Sequence, residues 1–225
     1  MNMIFARENE KLKESVLRLA GEVEMRLSDV LKAVEKRDKE TLLTLMELDC
    51  EIDEREVQIE EECLKILALH QPVARDLRFV IAVLKINNDL ERIGDIVVNI
   101  ADRGVRLAAF PVSELQEKIM RMGRIAREML KDSLDALIAL DVRKAAEVIG
   151  RDDEVDRLNT EVIEGVIARA TPANTGAMTE SLILIHSVAR DLERIGDHAT
   201  NIAEDVAYLV DGTIVRHKHA DPQQS

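Results

Sequence analysis

Apolar residues recur three and four positions apart through most of this chain, the period of an α-helix that buries one side. The clearest stripe runs Ile185, Val188, Leu192, Ile195, Ala199, Ile202, Val206 and Leu209, and an earlier stretch repeats it with Val83, Ile86, Leu90, Ile93, Val97, Ile100, Gly104 and Leu107. A first helix is predicted from about Arg7 to Lys36, where Val16, Ala20, Val23, Leu27, Val30 and Val34 alternate four and three. Asp38 stands where it can cap a second helix, which reads to about Leu69. His70, Gln71 and Pro72 end that helix, because proline lacks a donor and disfavours helix at the residue before it. A third helix is predicted from about Ala74 to Ala108.

Phe110, Pro111 and Val112 interrupt the pattern, and Ser113 with Gln116 three residues on is a capping-box signal. Three more helices follow. One uses Ile119, Gly123, Ala126, Leu130 and Leu137, the next opens near Asp141, and the last follows a polar turn at 171–176. Residues 212–225 read as a flexible polar tail, and its His217 and His219 as solvated residues rather than metal ligands.

The two sets of three are copies. DLERIGDIVVNIADR at 89–103 returns as DLERIGDHATNIAED at 191–205 with ten of fifteen positions identical, the mark of a duplicated structural unit. Asp38, Asp49 and Asp53 line up with Asp141, Asp152 and Asp156, all at an offset of 103. The expected fold is therefore all-α: two tandem antiparallel three-helix bundles related by internal duplication, 1–110 and 111–211.

Composition agrees and narrows the partners. With 33% charged residues, one tyrosine, three phenylalanines and no tryptophan, the core of these long helices must be aliphatic. A formal net charge of −13 argues against nucleic acid and anionic lipid, and favours cations or basic protein surfaces. No apolar run approaches eighteen residues and no hydrophobic targeting segment opens the chain, so direct membrane insertion is not expected. Cys50 and Cys63 fall in one predicted helix, about 20 Å apart along its axis, too far to bond. Free thiols fit a cytoplasmic protein, peripheral to a membrane only through partners.

Carboxylates supply the candidate chemistry. Glu91, Asp95 and Asn99, and again Glu193, Asp197 and Asn201, recur every four residues and share one flank of their helix. Asp49 with Asp53, and Asp152 with Asp156, form a second pair on the preceding helix, and Asp49 and Asp152 interrupt apolar stripes. An inward carboxylate is costly unless paired or metal-bound. One reading pairs these acids with Arg92 and Arg194 along the helix and leaves a structural scaffold. The other gathers four carboxylates per unit around a multivalent cation, which keeps them ionised and suits hard oxygen donors. No nucleophile motif or glycine-rich phosphate loop occurs, so an enzyme is not expected. A carboxylate-bridged di-metal protein of the ferritin-like kind uses Glu followed three residues later by His, and His70, His186 and His198 follow Leu67, Ile183 and Ile195 instead. His198, beside Asp197 but a step around the helix, reads as partly exposed.

The two ERIGD copies, each preceded by a DxxxD helix and followed by NIA, together with QPVARDLR at 71–78, resemble the PhoU family of phosphate-specific transport accessory proteins. The resemblance covers about residues 7 to 211. It implies a pair of three-helix bundles, dimeric, with multinuclear clusters of iron, manganese, zinc or magnesium. The ligands by that match are Asp49, Asp53, Glu91, Asp95, Asp152, Asp156, Glu193 and Asp197, to which helix geometry adds Asn99 and Asn201. It also implies a regulatory role, linking a phosphate ABC transporter to a sensor histidine kinase and repressing the phosphate-starvation response.

Overall fold

Caps and prolines divide the chain where the sequence places its breaks. The computed structural model describes residues 3–47, 49–171 and 174–212, without the side chains of residues 3, 49 and 50. The predicted tail beyond Gly212, with His217 and His219, lies outside the described residues. Seven helices are described: α1 (Met3–Lys36), α2 (Lys39–Glu47), α3 (Asp49–His70), α4 (Ala74–Leu107), α5 (Glu114–Ala139), α6 (Val142–Arg169) and α7 (Gly176–Asp211).

Helix α1 begins earlier than predicted because Leu12, four residues before Val16, and Phe5, a heptad before Leu12, extend its stripe; both are buried, and the Phe5 ring lies 5.3 Å from that of His70. The predicted second helix is described in two parts, α2 and α3, on either side of Leu48, which lies outside the described residues. Its counterpart α6 is one helix.

The caps behave as expected. Asp38 accepts from the Thr41 amide at 3.2 Å, Asp141 accepts from the amides of Arg143 and Lys144, and Ser113 forms a reciprocal capping box with Gln116. Helices α1 and α5 turn into the next helix through the equivalent residues Arg37 and Leu140, at φ 59° and 52°. Arg37 has a further task. Its guanidinium donates to the carbonyls of Ala108 (2.6 Å) and Phe110, tying the end of α1 to the link between the repeats.

Each repeat is an antiparallel three-helix unit, and the units meet along α4 and α7, with α1 also against α5. Buried residues from all seven helices, among them Leu27, Leu42, Ile52, Ile93, Leu130, Val155 and Ile195, form one continuous apolar core. The chain is duplicated, yet its core is shared.

The seam between α4 and α7 is polar at both ends. Arg103 pairs with the buried Asp191, and Arg106 Nη2 lies 2.7 Å from Glu180 Oε1. At the other end Lys85 Nζ lies 2.9 Å from the buried Asp205 Oδ1 and 5.1 Å from the centre of the Tyr208 ring. Asp89 and Asp191 open the two repeated motifs, so the first residue of each copy reaches across to the other repeat.

Candidate metal centre

The glycine of each ERIGD copy sets how near the acidic helices come. A Cβ at Gly94 would stand 2.9 Å from Ile52 Cδ1, and one at Gly196 would stand 3.4 Å from Asp152 Oδ1. Without a side chain there, α3 lies close on α4 and α6 on α7, which brings the DxxxD pair of one helix level with the ExxxD pair of the next.

In the first repeat, Asp53, Glu91 and Asp95 each present a carboxylate oxygen within 4.8 Å of the others, Asp53 exposed and the other two half-buried. Burial, then the neighbouring Asp95, pushes the Glu91 carboxyl above the ordinary range. The side chain of Asp49, the fourth expected member, lies outside the described residues. Arg92 contributes little neutralisation: its side chain is 51% exposed, and its guanidinium stands 3.4 Å from Glu91 and 3.5 Å from Asp95. A contact that long and wet is worth well under about 1 kcal/mol.

In the second repeat, Asp152, Asp156, Glu193 and Asp197 act on one another electrostatically. Burial, then Asp197, Asp156 and Glu193, raises the Asp152 carboxyl to about 6. Burial and Asp197 raise Glu193; burial and Asp156 raise Asp197. Among the described residues, only the first repeat's trio closes to within 4.8 Å.

Of the two asparagines, Asn201 has a partner outside the acidic group. Asn99 is exposed on α4, and Asn201 turns to the seam, where its amide donates to Asp89 Oδ1 at 3.4 Å. Spacing along one helix put both in line with the acids; the crossing of α4 and α7 gives the Asn201 amide Asp89 to meet. His198 is half-buried, its Nδ1 2.8 Å from the same Asp89 oxygen.

Sequence reasoning missed one pair. Asn87, 1% exposed, donates from Nδ2 to the carbonyl and Oε1 of Glu56, at 2.9 and 3.0 Å. Burial, then Glu60 and Asp53, raises the Glu56 carboxyl. The signal was present, since Asn87 stands four residues before Glu91 and Glu56 three after Asp53, each on the same flank.

The donors are all carboxylate oxygens, held near one another and reluctant to ionise together, which is the chemistry of a site for hard multivalent cations. Fold and site together define an all-α protein of two repeated helical units, each carrying one acidic constellation. Comparison with known proteins agrees: the PhoU domain model matches residues 16–104 and again 119–206, and the chain belongs to the PhoU family. It is 38% identical over 199 residues to the phosphate-specific transport system accessory protein PhoU homolog of Deinococcus radiodurans, covering 88% of this chain and 92% of that one. The crystal structure of PhoU from Pseudomonas aeruginosa superposes with a TM-score of 0.88 at 34% identity, covering 93% of this chain and all of that one. The phosphate transport system regulatory protein PhoU from Streptococcus pneumoniae gives 0.86 at 29% identity, over 94% and 99%. By these names the relatives are accessory and regulatory proteins of phosphate transport.

Proposed function

We propose that this protein is a metal-binding regulator of phosphate uptake, working in the cytoplasm as a homodimer. It links the phosphate ABC transporter to a sensor histidine kinase and holds the phosphate-starvation response down when phosphate is plentiful. The regulatory part is supported by the relatives' names, which tie the family to phosphate transport. A site outside the bilayer is supported by the helices, none of which, among the described residues, is long and apolar enough to cross a membrane.

The metal part is carried by one observation, the convergence of Asp53, Glu91 and Asp95 within 4.8 Å. Asp152, Asp156, Glu193 and Asp197 would hold a cation in the second repeat, and Asp49 would join the first. Iron, manganese, zinc or magnesium bound there would neutralise the carboxylates and cross-link α3 to α4 and α6 to α7.

Two experiments test the halves of this reading separately. Removing the protein from its cell should switch on a phosphate-starvation reporter in phosphate-rich medium, and restoring it should switch the reporter off; an unchanged reporter sinks the regulatory role. Protein purified without chelator or affinity metal should carry at least about one equivalent of a multivalent metal per repeat. Finding none leaves the acids as solvated faces of a helical scaffold.

A further inference from the structure

We propose that the outward face of α3 is a docking surface for a basic amphipathic helix of a partner protein. Val57 and Leu64 stand on that helix seven residues apart, 49% and 53% exposed, so both lie on one side about two turns from each other. Leu43, fourteen residues before Val57 on α2, is 51% exposed. Glu60 and Glu61 follow Val57 by three and four residues and precede Leu64 by four and three, which places one on each flank of the apolar pair. Glu54 extends the same edge, and all three glutamates are exposed.

The helix does not neutralise this edge itself. The ion pairs of its basic residues run to α1 instead: Arg55 pairs with Glu22, Lys65, itself 61% exposed, has Nζ 3.8 Å from Glu8 Oε1, and His70 Nε2 lies 2.6 Å from Glu8 Oε2. What remains outside is an apolar strip with acidic borders.

The second repeat serves as an internal control. At the equivalent positions α6 carries Ala146, Thr160 and Ile167 in place of Leu43, Val57 and Leu64, and Arg157, Ile163 and Glu164 in place of Glu54, Glu60 and Glu61. Arg157 there is neutralised by Glu161 at 2.6 Å. Ile167, 68% exposed, and Glu164 are all that remain of the arrangement there; a three-helix unit of this kind thus folds without the full strip and its paired acidic borders, so folding does not require them. A second copy of the chain is a poor occupant, because two such faces would set glutamates against glutamates, and an anionic lipid surface is repelled for the same reason. The fitting occupant is a helix with apolar residues at heptad spacing, flanked by lysine or arginine. This inference concerns the partner side of the regulatory reading and uses none of the proposed metal ligands, so the two stand or fall separately.

The test uses the full-length chain and a fluorescent synthetic helical peptide, leucine on one face and lysine elsewhere, followed by anisotropy. A peptide of the same composition with the leucines scrambled off the face is the control. The designed peptide should bind at physiological salt, and the scrambled one about tenfold more weakly. The Val57→Ser, Leu64→Ser double variant keeps every charge and should also lose about tenfold, the size expected when central apolar contacts are removed. Glu60→Gln with Glu61→Gln should weaken binding and flatten its salt dependence. Ile167→Ser on the matching face of α6 should change nothing. The proposal is overturned if wild type fails to bind, if the scrambled peptide binds equally, or if the double serine variant keeps its affinity. It is also overturned if the double serine variant changes the oligomeric mass of the free protein, since the face would then belong to contacts between copies.

Discussion

Asp152 shows how a single carboxylate reports on its whole constellation. Burial and three neighbouring acids raise its carboxyl to about 6, above the ordinary aspartate value. The folded state therefore holds a proton that the unfolded chain has already released, and stability without metal falls as pH rises between about 4 and 6. Asp152→Asn should raise the melting temperature of metal-free protein at pH 7, with the gain vanishing near pH 4. Cations reverse the sign, because a metal that binds only the folded state stabilises it, by about 2.7 kcal/mol at a hundredfold excess over Kd. Asp95→Asn and Asp197→Asn should accordingly leave metal-free stability unchanged or slightly higher, and lose stability only when manganese, iron, zinc or magnesium is added. Equal losses with metal and with chelator, in both variants, would mean that the acids serve as arginine-paired packing elements. The spacing of these acids was legible in the sequence. The partner of each was not, as Asn201 shows by meeting Asp89 rather than the carboxylates of its own line.

Between elements, glycine marks where helices come closest. A Cβ at Gly104 would lie 2.8 Å from Val34 Cγ2 and 3.1 Å from Leu42 Cδ1, inside a packed junction of α1, α2 and α4. Gly21 on α1 is exposed, with nothing within 4 Å of that position. Gly21→Ala should therefore stabilise by about 0.5–1 kcal/mol through helix propensity alone. Gly104→Ala gains the same propensity but meets the Val34 and Leu42 side chains, and a net loss of about 1–2 kcal/mol is expected from overpacking. Denaturant titrations of the two variants measure both signs, and a stabilised Gly104→Ala would show that the junction relaxes. Periodicity placed Gly104 on the apolar stripe as if it were another core residue. Only the approach of Val34 and Leu42 explains why nothing larger stands there.

On the scale of the molecule, the duplication in sequence is not a division in the core. Buried residues of both repeats form one cluster, and α4 meets α7 through buried charges at Asp191 and Asp205. Halves ending and beginning at the 110–114 link should each expose this seam, leaving Asp191 without Arg103 and Asp205 without Lys85. Expressed apart, 1–110 and 111–225 should melt with little cooperativity; mixed, they should recover a helical complex with a sharp transition. Circular dichroism melts of each half and of the mixture decide this. Two independently cooperative halves would show that the seam adds nothing to either fold.

Helix periodicity, caps and the repeated motif are local properties, written within a few turns of chain. They determined the helices to within a few residues, the duplicated units and the two acidic pairs in each. Those features need only the 3.6-residue period and the chemistry of single side chains. The tertiary structure decided what depends on residues far apart in sequence: that Asp53 closes on Glu91 and Asp95, that Asn87 holds Glu56, and that Arg103 crosses to Asp191. It also decided that Val57 and Leu64 face outward while their helix pairs Arg55 with Glu22 of α1. Helix crossing sets these meetings, and a crossing is fixed by the fit of two side-chain surfaces rather than by the pattern along either one.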